Sequence, residues 1–195
     1  MFNGIIYNTG TIHKILKNSD SFKISIKSNL KFSNKDLGSS VSCNGVCLTI
    51  TKIKGNLINF YISKETLIRS NFRFVKKNQI INLEKSITYG QKISGNFSQG
   101  HVDSTAIVKK IIFLDKSWLI RFKINNYNYN NFIVEKASIS INGVSLTISK
   151  VTNNFFEISV IPHTLKLTNL KKLNVNDVVN VELDIFSKYI YKYSS

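Results

Sequence analysis

One proline, one methionine, one tryptophan and two cysteines are spread over 195 residues, and each scarcity excludes something. Cys43 and Cys47 alone give no even framework of spaced cysteines, so a disulfide scaffold and a zinc ribbon are both excluded, and a reducing compartment fits. Read as one strand, their segment would separate them by roughly 13 Å at ~3.3 Å per residue, too far for a bridge. No apolar run approaches the ~20 residues of a membrane-crossing helix, and Met1-Phe2-Asn3-Gly4 lacks the charged-then-apolar plan of a signal peptide. The expectation is a cytoplasmic protein with no membrane partner and no metal site. Acidic residues are also few, 11 against 27 Lys and Arg, for a formal charge of +16. Such a balance first suggests a nucleic acid. Only Arg69, Arg73 and Arg121 offer planar bidentate contacts, however, and the lysines are scattered, which is the pattern of a solvated surface and argues against a specific nucleic-acid partner.

What is present is a repeat. Val41-Ser42-Cys43-Asn44-Gly45-Val46-Cys47-Leu48-Thr49-Ile50 returns without a gap as Ile139-Ser140-Ile141-Asn142-Gly143-Val144-Ser145-Leu146-Thr147-Ile148. In the same register Thr66-Leu67 meets Thr164-Leu165, Asn71 meets Asn169, and Asn82-Leu83-Glu84 meets Asn180-Val181-Glu182. Near the two starts, Phe2 to Ile12 aligns less closely with Ser98 to Val108, pairing Gly4 with Gly100. One unit is about half the chain, within the ordinary size of a small domain.

Within each unit, apolar residues alternate over short stretches such as Lys23 to Lys27, Asn56 to Ile62 and Trp118 to Ile124, the two-residue period of half-buried strands. Asn44-Gly45 and Asn142-Gly143 are hairpin-turn signals, because both residues tolerate positive φ. Hydrophobic residues at 43% suffice for packed cores. The fold class predicted is all-β, two tandem antiparallel barrels, since closure protects the edges of many short strands. The division is 1–92, 93–184 and a tail 185–195, with the linker near Thr88 to Asn96. In the tail, Phe186, Tyr189, Ile190 and Tyr193 fall at helical spacing, giving a short C-terminal helix.

The opening Met-Phe-x-Gly-Ile, the two Asn-Gly segments with Cys47-Leu48-Thr49 and Ser145-Leu146-Thr147, and Gly100-His101-Val102-Asp103 together resemble the riboflavin synthase family over roughly Met1 to Asp184. The resemblance implies two six-stranded Greek-key barrels. It implies dismutation of two molecules of 6,7-dimethyl-8-ribityllumazine to riboflavin and a ribitylaminopyrimidine, with no added cofactor. It also implies a homotrimer in which the reacting pair lies between the first barrel of one subunit and the second barrel of a neighbour. Two departures stand out: His163 occupies a position where the family often has a carboxylate, and the tail is shorter than a trimer-forming helix would be.

Residues that form a barrel should recur in both halves, whereas residues with one chemical role need not. Cys47 is matched by Ser145, His101 by Ile5, Lys136 by Gly38 and Asp184 by Ser86. His101 suits proton exchange near neutrality. Cys47 is either a thiolate nucleophile or a lining residue. Ser145, Thr49 and Thr147 offer hydroxyls to ring carbonyls and nitrogens, and Ser40 to water or substrate. By resemblance Lys136 and Asp184 lie beside the ligand; their alternatives are a solvent-facing lysine and a helix cap. The ligand frame implied is Gly4-Ile5-Ile6, Cys47-Leu48-Thr49, Tyr61-Ile62-Ser63-Lys64-Glu65-Thr66, Gly100-His101-Val102, Ser145-Leu146-Thr147 and Ile161-Pro162-His163-Thr164-Leu165-Lys166. Phe2 is either packed against this site or a core anchor. Two competing readings remain: a lumazine- or flavin-binding protein without turnover, and a basic barrel for single-stranded nucleic acid.

Overall fold

Alternation decides which way each strand faces. In the computed structural model, which describes residues 1–194, the strand Ser21–Ser28 buries Ile24 and Ile26 and leaves Lys23 and Lys27 outside. The same rule builds β1 (Asn8–Lys17), β2 (Ser21–Ser28), β3 (Ser40–Cys43), β4 (Val46–Lys54), β5 (Leu57–Ser63), a short helix α1 (Lys64–Arg69) and β6 (Ile80–Lys85). It then repeats as β7 (Ser104–Leu114), β8 (Ser117–Ile124), β9 (Ser138–Ile141), β10 (Val144–Thr152), β11 (Phe155–Val160), α2 (Pro162–Leu167) and β12 (Val178–Leu183). The chain continues into α3 (Ile185–Ser194), the helix predicted for the tail. Ser195, the last residue of that tail, lies outside the described residues.

Each half closes into a six-stranded antiparallel barrel in the order β1-β2-β5-β4-β3-β6, and β7-β8-β11-β10-β9-β12 in the second. The register breaks once in β1, β4, β7 and β10, between Ile12 and Lys14, Ile50 and Lys52, Val108 and Lys110, and Ile148 and Lys150. Such bulges bend a strand and increase its twist. Each barrel has its own core: Ile12, Ile24, Leu48, Phe60 and Ile81 in the first, and Val108, Phe122, Phe156 and Val179 in the second.

Asn44 and Gly45 have φ of +47° and +78°, and Asn142 and Gly143 +47° and +79°, the two positive values of a tight hairpin turn. This turn overturns the extended separation expected for the cysteines. Cys43 pairs with Val46 and Cys47 with Ser42 across the hairpin. Neighbouring rows of a sheet point to opposite faces, so Cys43 lies in the core and Cys47 on the other face, both as free thiols. Burial pushes the Cys43 thiol well up.

The barrels meet along these turns. A Cβ on Gly45 would lie 2.7 Å from the Gly143 nitrogen, and the reverse distance is the same, so neither position has room for a side chain. Around the contact lie six buried asparagines, Asn44, Asn71, Asn82, Asn142, Asn169 and Asn180. Asn82 accepts from the Asn169 N–H at 2.8 Å and donates to the Asn142 carbonyl at 2.9 Å. Its twin Asn180 accepts from the Asn71 N–H at 2.7 Å and donates to the Asn44 carbonyl at 2.8 Å.

Candidate functional site

The segment entering each barrel completes the other one. Ahead of β7, the Gly100 carbonyl accepts from the Cys47 N–H at 2.8 Å on β4, and Val102 packs against the first barrel's core. Ahead of β1, the Gly4 carbonyl accepts from the Ser145 N–H at 2.8 Å on β10, and Ile6 is buried in the second core. Gly100 and Gly4 have φ of +76° and +71°, and a Cβ on either would stand 2.7 Å from the Cβ of Cys47 or Ser145. Glycine is required twice over, by conformation and by space. Exposed His101 thus joins Cys47 at the first barrel, and half-buried Ile5 joins Ser145 at the second.

Two carboxylates that sequence reasoning passed over hold these segments. Glu84 on β6 accepts from the Asn3 and Gly4 N–H groups at 2.7 and 3.0 Å. Glu182 on β12 accepts from the Ser98 hydroxyl at 2.5 Å and from the Gln99 and Gly100 N–H groups at 2.7 and 3.0 Å. The available signal was the repeat itself, which keeps an acid at this position in both halves of an acid-poor chain. Burial outweighs the two N–H bonds and pushes Glu84 up to about 7.

The remaining candidates are spread over both barrels. Ser40 stands opposite Thr49 in the β3–β4 register, as Ser42 stands opposite Cys47, so Ser40, Thr49 and Cys47 share one face. Leu48, Ile62 and Leu165 are core residues, and Leu146 packs against the second core; these offer a ligand backbone rather than side chain. At the end of β5, Tyr61 is exposed, and Ser63 caps α1 by accepting from the Thr66 N–H at 3.2 Å, with the two hydroxyls 3.0 Å apart. Lys64 pairs with Asp20 at 2.7 Å and Glu65 with Arg69. In the second barrel Ile161 precedes α2, Pro162 begins it, and Pro162, His163 and Lys166 are exposed, as is Thr147, while Thr164 is half-buried.

Lys136 and Asp184 take defined backbone positions. Lys136 has φ of +68° and donates its N–H to the Ile148 carbonyl at 2.9 Å, where its twin Gly38 has φ of +80°. A lysine in that region is strained by about 1 kcal/mol. Asp184 caps α3, its Oδ1 accepting from the Phe186 N–H at 2.9 Å. Phe2 is fully buried and bridged to Ser98, its N–H donating to the Ser98 carbonyl at 2.7 Å. A cavity of about 480 Å³ opens beside Ile5, Tyr7 and Glu84. Among the described residues no three His, Cys, Asp or Glu side chains gather as metal ligands, and no helix is long and apolar enough to cross a membrane.

The Lumazine binding domain family matches residues 3–86 and again residues 99–184. The chain is 34% identical to riboflavin synthase of Actinobacillus pleuropneumoniae over 99% of its own length and 89% of that protein's. It is 33% identical to riboflavin synthase of Bacillus subtilis (strain 168), with the same 99% and 89% shares, and 33% to that of Escherichia coli (strain K12), with 94% and 87%. The chain belongs to the riboflavin synthase family. Among solved structures it is similar to LumP complexed with riboflavin, at a TM-score of 0.83 and 28% identity over 94% of this chain and 99% of that one. LumP complexed with 6,7-dimethyl-8-(1'-D-ribityl) lumazine gives 0.81 and 27%, over 93% and 98%.

This member of the riboflavin synthase family has two candidate sites framed alike and equipped differently. Each pairs a hairpin strand with a glycine segment from the other barrel. The first carries a thiol and an imidazole, Cys47 and His101; the second carries a hydroxyl and a branched alkyl group, Ser145 and Ile5.

Proposed function

We propose that this chain catalyses the dismutation of two molecules of 6,7-dimethyl-8-ribityllumazine, by four-carbon transfer, to riboflavin and 5-amino-6-ribitylaminouracil, the last step of riboflavin formation. The observation that supports it is the pair of like frames with unlike side chains. Like frames suit two copies of one substrate, and unlike side chains suit the unlike parts those copies play. Held close, the two rings gain the proximity a bimolecular step needs.

The chemistry is internally balanced. One lumazine gives up four carbons, the other receives them, and the atoms of the two substrates all reappear in the two products, so the reaction consumes no oxidant, reductant or further substrate. A proton leaves a methyl group of one lumazine, and a nucleophile adds to the ring of the other. His101 is the proton carrier and Cys47, Ser145 and Ser40 are polar partners at the reacting rings. Thr49, Thr147, the ends of β5 and β11 and Lys136 frame the substrates, and Asp184 combines its cap with a place at the second site. Residues 1–92 and 93–184 form the two lumazine-binding units. The reacting pair is assembled between the first barrel of one chain and the second barrel of a neighbour, in a cytoplasmic homotrimer.

The likeness to LumP bound to riboflavin and to lumazine favours a second reading, a binding protein without turnover. One assay separates them. Purified protein mixed with 6,7-dimethyl-8-ribityllumazine alone forms riboflavin, and His101→Ala lowers the rate by about a hundredfold or more. Tight lumazine binding with no riboflavin formed would select the second reading.

A further inference from the structure

We infer that Glu84 and Glu182 are positioning residues of the two sites, each carboxylate standing on the wall of one barrel and holding the segment that completes the site of the other. The inference rests on the proposed location of the lumazine sites, and it concerns residues outside that set.

Three observations carry it. The first is that Gly4 and Gly100 are bonded on both sides, once to each barrel. The Gly4 N–H donates to Glu84 on the first barrel while its carbonyl accepts from Ser145 on the second. The Gly100 N–H donates to Glu182 on the second barrel while its carbonyl accepts from Cys47 on the first. Ile5 and His101 follow immediately, so the placing of each is fixed one residue away by this pair of hydrogen bonds. A second observation is the choice of group. An ionised carboxylate accepts through both oxygens and donates nothing, and so suits a pair of successive N–H groups. Burying one is costly, and a protein needing only an anchor for a loop has less demanding neutral acceptors.

The third observation is the difference between the twins. Glu182 has three donors, because Ser98 adds its hydroxyl; at the equivalent place Phe2 adds none, and Glu84 has two. With its pKa pushed up to about 7 by burial, Glu84 changes charge near neutrality. On protonation one oxygen becomes a hydroxyl, a weaker acceptor than a carboxylate oxygen, and the bonds from Asn3 and Gly4 weaken. Ionisable groups near Glu84 are the Met1 ammonium, which favours the carboxylate, and Lys85, Lys92 and Tyr7 around the adjoining cavity. Lys85 also pairs with Asp36 at 3.7 Å. Across the sheet from Glu84 stands Ser42, and beyond it Cys47.

The test uses the full chain, with amide NMR and turnover read on the same variants. In the wild type the Asn3 and Gly4 amide protons shift with a midpoint near pH 7, and in Glu84→Gln that titration is gone. In Glu182→Gln the Gln99 and Gly100 amide protons move upfield, and kcat falls about tenfold or more with KM changed less, because His101 is displaced while the rest of the pocket is intact. Glu182→Asp, which keeps the charge on a shorter stem, recovers part of kcat; it also replaces Glu182→Gln if that variant does not fold. The inference is overturned if folded Glu182→Gln keeps wild-type kcat, or if the Asn3 and Gly4 amides ignore Glu84. A wild type that binds lumazine without turnover would defeat the proposed function and leave the NMR arm to decide on the clamps.

Discussion

Glu84 changes charge near neutral pH, because its surroundings disfavour the ionised form. Its pKa is raised from 4.5 to about 7, with desolvation the largest cause and the Asn3 and Gly4 N–H groups and the Met1 ammonium opposing it. A raised folded-state pKa means that the folded chain binds the proton more tightly than the unfolded one does. The stabilisation is therefore complete below the unfolded pKa and is lost as pH rises through the folded one. Between about pH 4.5 and 7 the contribution falls by an amount on the order of 3 kcal/mol. Denaturant unfolding at pH 5 and pH 8 is expected to give a larger wild-type decrease than Glu84→Gln shows; equal decreases would mean that Glu84 titrates normally. A group that lowers stability where the protein works is expected where geometry matters more than stability. Lys136 illustrates the same trade in the backbone, with a strained φ of +68° where its twin has glycine.

At the scale of elements, the two barrels are joined by asparagine supplied from equivalent places. Asn44 and Asn142 come from the hairpin turns, Asn82 and Asn180 from β6 and β12, and Asn71 and Asn169 from the 3-10 turns after α1 and α2. Asn82→Ala removes the acceptor of the Asn169 N–H and the donor to the Asn142 carbonyl and to Asn169 Oδ1. Buried groups left unpaired in one network cost about 3 kcal/mol together. Urea unfolding measures this, and a loss under about 1 kcal/mol would mean that water replaces the amide. The hairpins behind this contact could be read in the sequence, because the chemistry of Asn-Gly at positive φ is local. The tail helix was legible for the same reason, its spacing being local too. The crossing of Gly4 to Ile6 and of Gly100 to Val102 could not be read, because alternation reports which face of a strand is apolar and nothing about which barrel that face meets. The cysteine separation failed when one local signal, strand rise, was applied across another, the turn. Glu84 and Glu182 were visible as a repeated acid, but a repeat alone cannot distinguish a clamp from a surface charge.

At the scale of the whole molecule, the crossing ties each site to both barrels of its own chain, and the proposed reaction needs a first-barrel site and a second-barrel site face to face. The surface of α3 bears on how chains meet. Lys188 reaches back to Asp103 at 2.6 Å, Phe186 meets Phe97 and Tyr191 meets Phe132 edge-on or tilted, while Tyr189 and Tyr193 stay exposed. The net charge of +16 opposes any association of like chains at low salt, and salt screens it within about 10 Å at 0.1 M. Assembly is therefore expected to tighten as salt is added, the opposite of nucleic-acid binding, which weakens. Complementation tests the arrangement directly. His101→Ala damages the first-barrel site and Thr147→Trp fills the second, so each variant alone keeps about a hundredth of wild-type activity or less. If catalysis joins the first barrel of one chain to the second barrel of the next in a cyclic trimer, every mixed trimer has one junction of two intact halves. Equal, fully exchanged mixtures should then regain about a quarter of wild-type riboflavin formation. Were both substrates instead bound within one chain, mixing would restore nothing.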